Sequence, residues 1–144
     1  MKVASNNKKN SLQSRFSNIN MATNFAIVVS ARKGLQTKVF YDFAEAIKMP
    51  EKSLASIMNL SSRTISNYKE SERMLEPVQG EHLLKLITLF EKGEQIFGSI
   101  DEFNYWLKKP FWNSEEKPMD WLNTSGGVDF LSEEIEKLAQ GYPV

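Results

Sequence analysis

Apolar residues in this chain recur at helical spacing, and glycine or proline interrupts them before any stretch alternates long enough to make a useful strand. That combination restricts the fold to the all-α class. Residues 25 to 33 read as a short helix, with Lys33 in its last turn and Gly34 free to take a positive φ beyond it. Val39, Phe40, Phe43, Ala44 and Ile47 share one face of a helix over residues 37 to 48, which Pro50 stops. A loop over residues 72 to 80 contains Pro77. The stripe of Leu83, Leu86, Ile87, Phe90, Gly93 and Phe97 then predicts a central core helix over residues 81 to 97, closed by Gly98. Asp101 is placed to cap a helix that buries Phe103 and Trp106-Leu107 before Pro110, and Pro118 and Asp120 open a short turn around Trp121-Leu122. Val128, Leu131, Ile135 and Leu138 share a face of the last helix. Residues 1–24 are rich in Asn and Ser with only scattered apolar residues, Leu12, Phe16 and Ile19 among them, which predicts a flexible tail; Met21 is a candidate second start.

Residues 51 to 70 fit a helix-turn-helix frame. Leu54, Ile57 and Met58 face inward on the first helix, and small Ala55 sits where a second helix must cross closely. Asn59 falls at the turn, where a left-handed backbone is needed and Asn is the best tolerated residue after Gly. Leu60 plugs the turn, and Ser61 or Ser62 caps a second helix with Ile65 and Tyr68 inward. The candidate DNA-binding set on its outer face is Ser62, Arg63, Thr64, Ser66, Asn67 and Lys69. Arg can bond guanine bidentately, Asn can pair with adenine edges, and Ser, Thr and Lys can hold phosphates. A helical hairpin with an ordinary polar face is the competing interpretation.

Equal numbers of basic and acidic residues, 18 each, conceal an asymmetry. Residues 1 to 69 hold 11 Lys or Arg against 3 Asp or Glu, and residues 70 to 144 hold 7 against 15. A basic half attracts polyphosphate and an acidic half is repelled by it, so the split suggests a nucleic-acid face joined to a module that binds something else; chance drift between solvated faces is the plainer alternative. The absence of cysteine rules out disulfides and thiolate chemistry and fits a reducing cytoplasm. No apolar run approaches the roughly 20 residues that span a bilayer. Lys2, Lys8 and Lys9 have no apolar stretch after them, which predicts no signal peptide and a soluble, cytoplasmic protein.

Candidates for chemistry are few. His82 is the single histidine and has no motif-bearing serine for company, so it reads as a boundary residue rather than a base. Adjacent acids such as Asp101-Glu102, Glu115-Glu116 and Glu133-Glu134 point apart on a helix and read as caps and solvated faces. Gly126-Gly127 lacks a following Lys and a preceding strand, so it reads as a helix entry rather than a phosphate cradle. Phe111-Trp112, in a loop between prolines, is open to either an interaction patch or core packing. The expectation is no enzyme, no catalytic residue, no metal, no cofactor and no small-molecule substrate.

One spaced series remains: Phe97-Gly98, Trp106-Leu107, Pro110, Pro118-Met119-Asp120-Trp121-Leu122, Thr124, Gly127 and Gly141, preceded by Gly34-Leu35, Ser61, Arg63-Thr64-Ile65 and Leu75. It resembles the Xre/MbcA/ParS-type antitoxins, the partners of RES-type toxins that consume or use NAD, over about residues 25 to 144. The chain departs from that pattern at His82, where Arg is usual, and at Gly93 and Phe103, where a small Ala is usual. The resemblance implies an Xre-like region over 25–80 that dimerises and represses a shared promoter, followed by a helical toxin-binding domain over 81–144 that covers the toxin's NAD cleft. Carried over by position, the toxin-facing residues are Trp106, Leu107, Phe111, Trp112, Trp121, Leu122, Thr124, Gly126, Gly127, Gly141, Tyr142, Pro143 and Val144. The expected partners are a RES-type toxin, promoter DNA and a second copy of the chain. A stand-alone helix-turn-helix regulator, with a C-terminal half that senses a ligand or dimerises, is the alternative.

Overall fold

The computed structural model describes residues 11–141, and among these the regular elements are helical apart from one two-residue ladder. The elements are α1 (Leu12–Arg15), α2 (Asn24–Lys33), β1 (Leu35–Gln36), α3 (Thr37–Ala46), α4 (Glu51–Ile57), α5 (Ser62–Glu70), β2 (Met74–Leu75), α6 (Pro77–Phe97), α7 (Ile100–Leu107), a 3₁₀ turn (Pro118–Trp121) and α8 (Ser125–Ala139). β1 and β2 pair antiparallel, Leu35 opposite Leu75, and so tie the entrance of the helix-turn-helix to its exit. Gly34 leaves α2 at φ 106°, and the cap of α6 is Gly98 in the left-handed region, as their positions beyond apolar stripes predict.

Long α6 is the axis. Leu83, Leu84, Leu86, Ile87, Leu89 and Phe90 are all buried on it, because α2, α7, α8 and α1 each cover part of its circumference. It begins at Pro77, four residues before the expected start. Proline at the first helical position loses no hydrogen bond and presets φ, and Glu76 and Gln79 close a capping box around it. The expected boundary between residues 80 and 81 therefore lies inside a helix. Gly80 faces α2 where the helices cross, and a Cβ there would lie in van der Waals contact with that of Ala31 at 3.4 Å. The cap of α7 is Ser99, whose hydroxyl accepts from the Glu102 amide, rather than Asp101, which sits inside the first turn.

An aromatic ladder crosses the molecule from end to end. Phe16 meets Phe43 edge-on at 6.3 Å, Phe43 meets Phe90 at 5.4 Å, Phe90 meets Phe103 at 5.0 Å, and Phe103 stacks on Trp106 at 6.0 Å. The rung at Phe103 exists because Gly93 has no side chain; a Cβ there would overlap the ring. The two departures from the small-residue pattern thus compensate each other.

The ladder also corrects the expected flexible tail over residues 11–24. Leu12 and Phe16 are buried in the main core, the Leu12 amide donates to Glu94 Oε1 at 3.1 Å, and Ser30 Oγ donates to the Asn20 carbonyl at 2.9 Å. Two large apolar side chains and satisfied backbone groups offset the ordering entropy of so short a strap. Residues 1–10 lie outside the described part.

Candidate nucleic-acid interface and partner surface

The helix-turn-helix is built as its sequence predicts. Leu54 and Ala55 of α4 and Met58 just beyond it are buried, Ile57 is half-buried, and Ala55 has no exposed surface where α5 crosses. Asn59 turns the chain at φ 60°, and the Leu60 amide closes the turn on the Ala55 carbonyl at 2.8 Å. Ser61, not Ser62, caps α5: its hydroxyl accepts from the Thr64 amide at 3.0 Å and lies 2.8 Å from the Thr64 hydroxyl. Ile65 is buried and Tyr68 half-buried, leaving the opposite face to solvent.

Of the six candidate DNA-binding residues, Ser62, Arg63, Asn67 and Lys69 are exposed, and Thr64 and Ser66 are half-buried. Thr64 is partly committed to the cap. Arg63 has no carboxylate partner among the described residues, so its guanidinium is available to an incoming acceptor. Lys69 Nζ lies over the Tyr41 ring at 4.5 Å, which fixes its stem while leaving the ammonium at the surface. Ser62, Ser66 and Lys69 line a groove with Lys52 of α4; Glu51 and Glu70 stand at the same groove. Burial, reinforced by those two carboxylates, raises the Tyr41 phenol above its ordinary value, so it stays a neutral donor.

The thirteen residues assigned to the toxin face separate into surface and core. Leu107 and Leu122 are fully buried and Gly127 is buried, so these three cannot touch a partner without unpacking, which corrects their assignment. Gly127 is needed for closeness: a Cβ there would overlap the Trp121 carbonyl, and its amide donates to Thr124 Oγ1 at 2.9 Å to begin α8. Trp106 is half-buried and completes the aromatic ladder. Phe111 is half-buried while its neighbour Trp112 is 87% exposed, so the pair divides between packing and surface. Trp121, Thr124, Gly126 and Gly141 are exposed; Tyr142, Pro143 and Val144 lie outside the described residues.

The sequence reading missed Phe130. It packs against Trp121 with ring centroids 5.1 Å apart, and the two remain 38% and 37% exposed, a paired aromatic surface rather than a scattered one. Its signal was an aromatic standing off the stripe of Val128, Leu131, Ile135 and Leu138 on an otherwise polar helix face. Two hydrogen bonds fix the strand of chain that carries Trp121. Buried His82 of α6 bonds through Nε2 to the Leu122 carbonyl at 2.8 Å, and Asn59 Nδ2 donates to the next carbonyl, that of Asn123, at 3.0 Å. Long α6 and the turn of the helix-turn-helix are therefore tied to consecutive peptide groups just after Trp121. On the other side Lys85 pairs with Asp129 at 2.9 Å and Lys92 with Glu136 at 3.0 Å, holding α8 to α6.

Among the described residues no group of three or more His, Cys, Asp or Glu is placed to hold a metal ion, and no helix is long and apolar enough to cross a membrane. Residues 26–87 match the family model of the antitoxin Xre-like helix-turn-helix domain. That interval runs from α2 into α6, and it makes this part of the chain an N-terminal Xre-like helix-turn-helix domain. No curated protein matches the chain.

Proposed function

We propose that the protein is the antitoxin of a toxin–antitoxin pair: it neutralises a RES-type, NAD-targeting toxin with its C-terminal half and represses its own operon through α5. The observation that carries the DNA-binding part is the first turn of α5, where Ser61 caps the helix and Arg63 is exposed with no carboxylate partner among the described residues, in a domain matched to antitoxin helix-turn-helix regions. The toxin-binding part is supported by the paired Trp121 and Phe130 rings and by exposed Trp112, since large aromatic side chains held on a rigid base are the usual anchors of protein interfaces. Neutralisation is steric, by covering the substrate cleft, and needs no catalytic group on this chain. Dimerisation through the N-terminal half is favoured by exposed Phe25, Met74 and Val78, and by the geometry of operators, where two recognition helices address half-sites about one DNA turn apart.

The experiment has two arms. Binding to the DNA upstream of its own gene, at one fixed salt concentration, is expected to weaken by about 1 to 3 kcal/mol in Arg63→Ala if Arg63 reads a base; equal affinity removes Arg63 from the reading set. Co-expression with the product of the adjacent gene, followed by copurification and an NAD-consumption assay, is expected to give a complex and inhibition. DNA binding without any toxin partner would replace the antitoxin reading with a stand-alone regulator.

A further inference from the structure

We infer that Lys108, a residue of the acidic half, holds a phosphate of the same DNA that α5 reads, so the nucleic-acid interface extends across the helix-turn-helix onto α7. The inference rests on the DNA-binding reading above and adds to it a contact from outside the matched domain.

A groove of about 520 Å³ separates α4 from α7, with Lys48, Lys52, Ser53, Ser56, Asn104 and Lys108 supplying its polar wall and no carboxylate lining it. Two of these groups are already committed. Lys48 Nζ sits 2.9 Å from Asp101, and Asn104 Nδ2 donates to the Ile47 carbonyl at 3.0 Å. Lys52 and Lys108 have no ion pair among the described residues, and both are exposed. Lys52 is shared: it also lines the neighbouring groove with Ser62, Ser66 and Lys69. Lys52 thus joins two adjoining grooves, one reaching Lys69 of α5 with Glu51 and Glu70 beside it, the other reaching Lys108 at the end of α7 with no carboxylate.

Direction follows from the motif. When the second helix of a helix-turn-helix enters the major groove, the first crosses the phosphate backbone. Here that helix is α4, so a backbone passing Lys52 and the hydroxyls of Ser53 and Ser56 next meets Lys108. Lys109, adjacent in sequence, does not line the groove. This placement overrides the charge asymmetry of the sequence, because folding returns one lysine of the acidic half to the basic face.

The test uses the full-length protein, the DNA upstream of its own gene and an unrelated duplex of equal length, with affinities measured between about 50 and 200 mM salt. Each phosphate contact contributes about 0.9 to the slope of log K against log salt, so the loss of one shrinks the affinity drop over that range by about 3.5-fold. Lys108→Ala and Lys108→Gln are expected to show that change on both duplexes, with unaltered thermal midpoints, and Lys109→Ala to behave as wild type. An unchanged slope in both Lys108 variants, while Arg63→Ala still weakens specific binding, overturns the inference and spares the DNA-binding reading. An equal loss in Lys109→Ala reduces the effect to net charge and overturns the groove. No binding by the wild type to either duplex overturns both.

Discussion

Gly93→Ala tests the packing of α7 against α6 at the aromatic ladder. Helix propensity alone predicts a gain, since Ala is about 1 kcal/mol better than Gly inside a helix. Packing predicts the reverse. An ideal Cβ on Gly93 overlaps Cγ, Cδ1 and Cδ2 of Phe103, a ring with no exposed surface. The ring cannot swing away, because Phe90 stands against it at 5.0 Å, Phe97 at 5.5 Å and Trp106 at 6.0 Å. Overpacking costs about 1 to 3 kcal/mol, and overlap with three atoms of a confined ring belongs at the upper end, so the net expectation is a loss of about 2 kcal/mol. Phe103→Ala alone leaves a cavity and costs about 3 to 5 kcal/mol. With both changes the overlap disappears and the helix gain is realised, so the double variant should be more stable than Phe103→Ala by about 1 kcal/mol. The resulting coupling is about 3 kcal/mol, at the top of the range for contacting residues. Urea unfolding followed by circular dichroism measures all four corners of the cycle. Additive losses, or a stabilised Gly93→Ala, would refute the reasoning.

Two further expectations concern the same scaffold. His82→Ala leaves the buried Leu122 carbonyl without its donor and should cost about 1 to 3 kcal/mol in urea unfolding; an unaltered midpoint would show that the bond to the Trp121 segment contributes nothing to stability. Burial, with the Glu94 carboxylate adding to it, lifts Glu91 from the ordinary carboxylate range to about 7. The folded chain then keeps a proton that the unfolded chain has released, so stability falls as pH rises from that ordinary range through about 7. Glu91→Gln should flatten the fall in thermal midpoint between about pH 5 and pH 8, and an equal fall in both proteins would contradict the burial argument.

What could be read in advance was local. Gly34, Asn59 and Gly98 announced their turns because a positive φ is a property of one residue and its neighbours. The stripes of α3, α6 and α8 announced their faces because helical period is visible within a few turns. The docking of α1 was not readable, since Leu12 and Phe16 lie in polar sequence and their partners, Glu94 and Phe43, are distant along the chain. Pro77 looked like a loop residue because a proline that opens a helix and a proline within a loop have the same local chemistry, and only the downstream residues tell them apart. The partner surface was the least legible part. The residues carried over by position mix two kinds, and the structure divides them: Leu107, Leu122 and Gly127 hold the fold, while Trp121 and Trp112 are exposed. Phe130 lies off the series, and only its packing against Trp121 marks it as part of an exposed aromatic pair.

The continuity of the core bears on how the proposed activities can be separated. A cut at residue 80 removes the first turn of α6 and strips α2, the strap and α3 from its flank. Leu83, Leu86, Ile87 and Phe90 then lose the partners that bury them, and Phe43, the middle of the aromatic ladder, goes with the other fragment. Neither piece retains a closed apolar core, so loss of toxin binding in a C-terminal fragment would report unfolding rather than a missing contact. Point changes at exposed positions avoid that ambiguity. In the proposed function Arg63 and Lys108 address DNA and Trp121 and Phe130 address the partner, and none of the four is buried. The two surfaces are nevertheless close in covalent and hydrogen-bond terms. Asn59 holds the Asn123 carbonyl two residues from Trp121, and Lys108 ends the helix that leads into the Trp112 loop. A partner large enough to cover both Trp121 and Trp112 would therefore lie against the flank of the proposed DNA-binding face, and because one apolar core runs beneath both, occupancy of either bears on the other.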